Sequence, residues 1–329
     1  MLVNRLATAV AALAALTLAP GLLTASVAAE PGAPQERRTA IRLDDLERGP
    51  DAAVPYRRHR TIQDGDLRRR IPGRQPDLLG EVDGGYLVTS SVDGRTTLRV
   101  LARRGGDRVL GTFGSRSRSF TLSDDARVVL MRLGGRARST RFMLLSSTDG
   151  RDLARLRSPR SLWPLDVTAD EVVLTSDDPR QVLSWSPGSG DVRIVVRESG
   201  GLADLDQDVL VRTPRRRGTQ CLEMASLSSP REAMWSRCAD EVPRLLSPDG
   251  QHLLVSERSW DAQDLRVLDA AGEQVARYRI RDGWGTGLVH FEDEQTVLLG
   301  VESGDAGAVV RCSGTHCELA SGVAPHPPR

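Results

Sequence analysis

The chain has 329 residues, of which 39% are hydrophobic and 27% are charged, as in an ordinary globular protein. All 45 basic residues are Arg, and Asn4 is the one Asn of the chain. The absence of Lys excludes a Walker phosphate-binding loop, Schiff-base catalysis and Ser-Lys hydrolase chemistry, and the lack of a later Asn excludes N-glycosylation sites.

Residues 1–29 have the pattern of a secretory signal peptide. Arg5 provides the positive charge, an apolar run extends to Leu23, and small residues precede the predicted cleavage after Ala29. An uncleaved membrane anchor is the alternative, but Pro20-Gly21 interrupts the run before it reaches the roughly 20 residues of a membrane span. We therefore predict a secreted protein with no stable membrane insertion after cleavage. Cleavage leaves 44 basic and 44 acidic residues, and this neutral balance argues against a nucleic-acid partner.

The rest of the chain is predicted to contain one folded domain. Residues 30–53 are a Pro/Arg-rich, extended lead-in, residues 54–321 the domain, and residues 322–329 a disordered tail. Within the domain, short runs of alternating apolar residues are separated by Gly, Asp and Ser turns, and helical periodicity is weak. This pattern predicts an all-β fold.

One hairpin recurs along the domain, with successive turns about 40–44 residues apart, the spacing of four-stranded propeller blades. Its seven copies cover residues 56–71, 98–110, 142–156, 182–195, 221–238, 265–278 and 309–319. Each copy after the first is preceded by a second hairpin with an acidic turn: Asp83-Gly84, Asp124-Asp125, Asp170-Glu171, Asp206-Gln207-Asp208, Asp249-Gly250 and Glu292-Asp293-Glu294. Two hairpins per period make four strands. We predict a single propeller of seven blades whose first blade is incomplete; six blades with residues 56–71 as an outer clasp are the alternative.

Residues 245–255, with the sequence LLSPDGQHLLV, resemble the S-P-D-G repeat of TolB-like and WD40-like bacterial β-propellers. The other copies, such as residues 122–130, match only in pattern. The resemblance extends over residues from about 55 to 321, which leaves no room for a second catalytic domain. The hydrolase domain that accompanies some propellers is therefore not expected, and no G-x-S-x-G motif occurs.

The four cysteines form an even set, as expected of an exported chain. Cys221 and Cys238 flank one turn symmetrically, and Cys312 and Cys317 flank another, so each pair is predicted to form a disulfide across paired strands. The alternative is a metal site built from Cys312, His316 and Cys317. It lacks a C-x-x-C spacing, and adjacent His316 and Cys317 would point to opposite strand faces. We predict two disulfides and neither a metal nor a cofactor.

Catalytic motifs are absent from the sequence. The five histidines are scattered and match no metal or catalytic spacing, so no catalytic residue is assigned: His59, His252, His290, His316 and His326. Calcium-dependent six-bladed lactonases resemble this predicted fold, but their metal site includes an Asn ligand, which the mature chain lacks. The acidic residues are predicted to stabilise the tight turns in which they lie, with Asp in place of Asn. They would bind Ca²⁺ only if the turns converged.

Charge is predicted to divide between the two faces of the propeller. The turns between strands 1 and 2 of each blade are acidic, whereas the opposite face has two stretches without acids, 126–148 and 209–218. The planar guanidinium of Arg suits carboxylate or phosphate ligands. The predicted partner-binding residues on that face are Arg116, Arg118, Arg136, Arg138, Arg141, Arg157, Arg160, Arg215, Arg216 and Arg217. The alternative is that these arginines only provide solubility in a chain without Lys.

The leading functional hypothesis is a secreted, monomeric, non-enzymatic propeller that binds another protein or an anionic envelope polymer. The alternative is a hydrolase or lactonase-like enzyme acting on a small or glycan-like substrate in the central channel. Carboxylates converging on the channel would favour the enzyme, and small or apolar channel residues would favour the binding module; Asp166, Asp204 and His290 are candidate channel residues. A purely structural module is the third possibility.

Overall fold

The structure is a computed structural model and describes residues 38–114, 118–134, 139–257 and 263–325. In these residues the regular structure consists of β-strands and a single 3₁₀ turn at Leu43–Asp45. The described part of the chain contains no helix that is long and apolar enough to span a membrane. The first strand, β1 (Thr39–Ile41), precedes the blades.

Seven small sheets follow one another along the chain and form the blades of a β-propeller, which we number I to VII. Blade I has three strands: β2 (Tyr56–Arg58), β3 (Thr61–Asp64) and β4 (Leu67–Arg70). Blade II has four strands: β5 (Arg74–Val82), β6 (Gly85–Val92), β7 (Arg95–Ala102) and β8 (Asp107–Phe113). Blade III has four: β9 (Arg118–Leu122), β10 (Val128–Gly134), β11 (Thr140–Ser146) and β12 (Asp152–Ser158). Blade IV also has four: β13 (Trp163–Val167), β14 (Val172–Asp177), β15 (Arg180–Trp185) and β16 (Val192–Val196).

Blades V to VII carry additions to the four-stranded pattern. Blade V consists of β17 (Gly200–Asp204), β18 (Val209–Arg212), β21 (Leu222–Ser226) and β22 (Ala233–Arg237), with a small hairpin of β19 (Arg215–Arg216) and β20 (Thr219–Gln220) between its second and third strands. Blade VI consists of β23 (Glu241–Leu246), β24 (His252–Glu257), β25 (Asp264–Asp269) and β26 (Gln274–Ile280), and blade VII of β27 (Trp284–Phe291), β28 (Thr296–Ser303), β29 (Ala306–Ser313), β30 (His316–Leu319) and β31 (Ala324–Pro325).

The inner strand of each blade contacts the inner strand of the next, in the order β2, β5, β9, β13, β17, β23 and β27. The seven-bladed prediction, with an incomplete first blade, is therefore confirmed. The six-bladed alternative is wrong, because residues 56–71 form a three-stranded sheet of their own that occupies a blade position instead of clasping the outside of a ring. The TolB-like resemblance is thus confirmed at the level of the fold.

The hydrophobic core is divided among the interfaces between blades. In the described residues seven clusters of buried side chains are present, one for each pair of neighbouring blades. The cluster that closes the ring joins Tyr56 of blade I to Leu298 and Val309 of blade VII. Because blades II to VII are covered on both faces, their second strands include a buried apolar run, such as residues 128–131 of the Val128–Gly134 strand.

The segment before blade I binds the outer strands of the last two blades. β1 pairs in parallel with β26, and Ile41 is fully buried between blades VI and VII. Further along, Gly49 N donates to Leu319 O at 3.0 Å, and Ala52 N donates to Ala320 O at 3.2 Å. We call residues 39–52 the strap. The strap lies within residues 30–53, which the sequence predicts to be an extended lead-in. The strand β31 lies within residues 322–329, which the sequence predicts to be a disordered tail.

Both predicted disulfides are confirmed. Cys221 and Cys238 of blade V have Cα atoms 3.9 Å apart, and Cys312 and Cys317 of blade VII have Cα atoms 4.2 Å apart. Cys312 and Cys317 are direct partners in the β29–β30 pairing, as expected of cysteines that flank a tight hairpin.

Candidate functional site

The two faces of the propeller are distinguished by their loops. In blades II to VII the connections between strands 1 and 2 and between strands 3 and 4 lie on one side, which we call the upper face. Connections between strands 2 and 3, and between successive blades, lie on the lower face. This follows from the antiparallel order of the strands in every blade.

On the upper face the acidic turns are held by a repeated hydrogen-bond pattern. Ser247 Oγ donates to Asp249 Oδ1 at 2.5 Å, and the same carboxylate accepts the N–H of Gln251 at 3.0 Å. Ser123 and Asp125 of blade III repeat this geometry at 2.7 Å. Burial alone would raise the pKa of Asp125, but these hydrogen bonds outweigh it and lower that pKa. The carboxylates of these two turns therefore stabilise the turn conformation.

Three carboxylates interact electrostatically at the upper ends of the inner strands: Asp124, Asp166 and Asp204. Asp166 is buried, and its two oxygens accept N–H bonds from Val167 and Leu205, both at 2.7 Å. Burial raises the pKa of Asp166 to about 7, and the charges of Asp124 and Asp204 act in the same direction. Among the described residues no group of three His, Cys, Asp or Glu side chains is arranged to hold a metal ion.

A cavity of about 630 Å³ lies between blades VII, I and II and reaches blade III. Asp77, Asp124, Arg58 and Glu302 contribute charges of both signs to its lining, together with His290. Desolvation by the surrounding protein lowers the pKa of His290. Of the three channel candidates from the sequence, His290 therefore lines this cavity, while Asp166 and Asp204 interact with Asp124 at its edge.

The lower face of blade III presents exposed arginines. Arg141 of β11 and Arg157 of β12 are direct cross-strand neighbours, and Arg160 follows in the connection to blade IV. All three are exposed, and none has an acidic partner among the described residues. We call them the blade III arginines. Arg116, Arg136 and Arg138 lie outside the described residues, and the side chain of Arg118 is likewise not described.

The arginines of blade V have a different environment. Arg216 donates from Nε to Glu223 Oε1 at 2.8 Å, and Arg212 binds the other oxygen of Glu223 at 2.7 Å. Arg215 and Arg217 are exposed. Asp177, in the lower turn of the intervening blade IV, is also exposed, so an acidic residue separates the arginines of blade V from those of blade III.

Other acidic residues of the lower face in blades V and VI are neutralised inside the protein. Asp264 binds Arg277 at 2.8 Å, and Glu241 binds Arg266 at 2.5 Å; all four side chains are largely buried. Glu198 binds Arg212 at 3.1 Å. These three acids therefore already have arginine partners within blades V and VI.

A tryptophan lies at the start of the inner strand of blade IV, on the lower face. The guanidinium carbon of Arg132 is 3.5 Å from the ring centroid of Trp163, while 46% of Trp163 is exposed. The Nε of Arg132 donates to Leu162 O at 2.6 Å, and burial lowers the pKa of Arg132. The sequence pattern does not predict this pair; its one local signal is an Arg within an otherwise apolar second strand, which does not specify the partner.

Comparison with known proteins supports the fold alone. No family model and no curated protein matches the chain. The β-propeller domain of the Trilobed protease from Pyrococcus furiosus, which has an open velcro topology, is similar with a TM-score of 0.59 at 12% identity, over 80% of this chain and 89% of that one. The Pyrococcus horikoshii acylaminoacyl peptidase gives 0.58 at 11% identity, over 80% of this chain and 47% of the peptidase. An uncharacterised protein from Listeria monocytogenes gives 0.51 at 13% identity, over 87% and 85%.

Proposed function

We propose that the protein is a secreted, non-enzymatic propeller that binds an anionic partner at the cell envelope through the lower face of blade III. The observation that supports this function is the set of blade III arginines, which are exposed and lack acidic partners among the described residues. Arg141 and Arg157 lie side by side on paired strands, an arrangement that suits an acidic polymer or an acidic protein surface. The two disulfides agree with an extracytoplasmic location.

Binding to an immobilised polyanion tests this function. Wild-type protein is compared with a variant carrying Arg141→Ser, Arg157→Ser and Arg160→Ser, using polygalacturonate and poly-L-glutamate as probes. A matched control removes three exposed arginines of the upper face, through Arg104→Ser, Arg108→Ser and Arg231→Ser. We expect binding that weakens with salt, is lost in the blade III variant and persists in the control. Equal loss in both variants, or no binding to either probe, would contradict the proposal.

A second candidate is hydrolysis of a small or glycan-like substrate in the central channel. The observation in its favour is Asp166, whose pKa of about 7 suits proton transfer near neutral pH, with Asp124 and Asp204 nearby. Both oxygens of Asp166 are, however, occupied by backbone N–H groups, which is the arrangement of a structural carboxyl. Hydrolysis of a chromogenic glycoside or lactone panel that Asp166→Asn abolishes would favour the enzyme over the binding module.

A further inference from the structure

The exposure of Trp163 contrasts with that of the other tryptophan of blade IV. Trp185, at the end of the third strand of the same blade, is 1% exposed and packs between blades III and IV, whereas Trp163 is 46% exposed. An exposed indole leaves a large apolar surface in contact with water, so burial does not explain its position. Trp163 does not contribute to the core between the blades.

The indole of Trp163 is held in a fixed orientation. The guanidinium of Arg132 covers one ring face at 3.5 Å, and its Nε is fixed by the carbonyl of Leu162. Leu162 is fixed in turn, because its N–H donates to Thr140 Oγ1 at 3.0 Å. Arg132 and Thr140 are themselves 8% and 0% exposed. Since one face of the ring is occupied, the accessible surface of Trp163 lies on its opposite face and edges.

The chemistry of the opposite face selects the ligand. A cation already lies against one face of the π-system, so a second cation at the other face is disfavoured, and choline-like or lysine ligands do not fit. A sugar ring can stack its C–H groups on this face as an apolar plate, and its polar groups then reach the surroundings.

The positive charge beside Trp163 comes from blade III, while the exposed Asp177 lies in the lower turn of blade IV itself. Arg160 precedes Trp163 by three residues, and Arg141 follows Thr140, whose hydroxyl accepts the Leu162 N–H. Arg157 lies beside Arg141 on the neighbouring strand. A ligand stacked on Trp163 is therefore close to guanidinium groups that bind carboxylates through paired N–H donors.

Resting on the proposed function, we infer that Trp163, backed by Arg132, is a stacking subsite for a sugar ring of an acidic polysaccharide, whose carboxylates bind the blade III arginines. The ligand class is a uronate-containing glycan, because it combines a ring with a negative charge on the same residue. Neutral glycans lack the charge, and acidic polypeptides lack the ring.

Three probes of defined composition separate these properties: an oligogalacturonate, poly-L-glutamate of matched charge, and neutral maltohexaose. We expect the oligogalacturonate to bind more tightly than poly-L-glutamate and maltohexaose to bind weakly. Trp163→Ala should weaken oligogalacturonate binding by about three- to ten-fold and leave poly-L-glutamate binding unchanged. Trp163→Phe should retain part of the affinity. Met234→Ala, which removes an exposed apolar side chain on the outer strand of blade V, is the control.

The outcomes distinguish this inference from the function on which it rests. If Trp163→Ala binds the oligogalacturonate as wild type does, or poly-L-glutamate binds as tightly as the oligogalacturonate, the stacking subsite is wrong and an acidic protein partner replaces it. If neither polyanion binds, the proposed function itself fails. Far-ultraviolet circular dichroism and thermal melts of every variant show whether a loss of binding reflects a loss of fold.

Discussion

Arg216 donates a hydrogen bond from Nε to Oε1 of Glu223, a carboxylate with no solvent exposure, across 2.8 Å. The hydroxyl of Ser236 donates to the same oxygen at 3.1 Å. An arginine that the sequence placed among exposed binding residues thus covers a buried charge. The three consecutive arginines of blade V are therefore not equivalent.

The first prediction compares these arginines. Arg216→Ser should lower the melting temperature, because it leaves Oε1 of Glu223 with a poorer set of donors. Arg215→Ser and Arg217→Ser should leave it unchanged, because both side chains are exposed. Thermal denaturation followed by circular dichroism measures the difference. Equal melting temperatures for all three variants would show that Arg216 does not stabilise Glu223.

The second prediction concerns the buried partner of the same carboxylate. Arg212 is 5% exposed and binds both Glu223 and Glu198. Arg212→Ala should reduce the free energy of unfolding by about 3 kcal/mol, because the buried Oε2 of Glu223 and the carboxylate of Glu198 both lose their guanidinium partner, while Arg216 pairs only with Oε1. Urea denaturation measures this change. Restoring most of the stability with an added Glu223→Gln substitution would identify the unpaired carboxylate as the cause.

The third prediction concerns a strained turn. Ala126 has a φ angle of +57° and occupies the turn position that Gly250 holds, at +68°, in the S-P-D-G turn. Ala126→Gly should stabilise the protein by about 0.5–1 kcal/mol, because a Cβ is unfavourable in the left-handed region. Gly250→Ala is the converse, and it should cost more, since the added Cβ would lie 2.9 Å from Cβ of Gln207. Chemical denaturation of both variants checks the opposite signs.

The fourth prediction is a pH dependence. The folded-state pKa of Asp166 is raised to about 7, above its value in the unfolded chain. Between about pH 4 and pH 7 the unfolded chain therefore releases a proton that the folded protein retains, and the contribution of Asp166 to stability falls as pH rises. The stability of the wild type relative to Asp166→Asn should decrease across this range and level off above about pH 8. A difference that is constant with pH would contradict the raised pKa.

The fifth prediction concerns the disulfides, whose cysteines are 17 and 5 residues apart. Replacing Cys221 and Cys238 with Ala should reduce the free energy of unfolding by about 3 kcal/mol, and replacing Cys312 and Cys317 by about 2 kcal/mol, because the longer loop restricts the unfolded chain more. Denaturation of the two double variants gives both values. The reverse order would show that native-state contacts, not loop length, dominate.

The predictable part of the fold is the part encoded by local signals. Turn residues at a regular spacing located the two hairpins of each blade from II to VII, and the positions of Cys312 and Cys317 around one turn predicted their pairing. The hydrogen bond from Ser123 to Asp125 repeats the one from Ser247 to Asp249. The spacing of Ser and Asp in the sequence therefore predicted the role of these carboxylates in the turns.

The remainder depends on contacts between distant segments. β1 has three residues, too few for any periodicity, and its partner β26 lies in blade VI, at the other end of the domain sequence. The candidate site shows the same limit. The pattern of arginines indicated a charged face, but only the folded structure separates Arg216, which binds Glu223, from Arg141, which has no acidic partner among the described residues. Trp163 and Arg132 belong to different blades, and nothing in their spacing indicated that they stack.

The strap imposes an order on the assembly of the chain during synthesis. Residues 39–52 emerge before every blade, yet their hydrogen-bond partners, in β26 and beside Leu319, belong to blades VI and VII. Blades II to V can form successively from neighbouring segments, whereas the strap stays unpaired until blades VI and VII are complete. Pairing of the strap therefore joins the two ends of the domain, and a nascent chain that stops before residue 274 leaves the first strand without its partner.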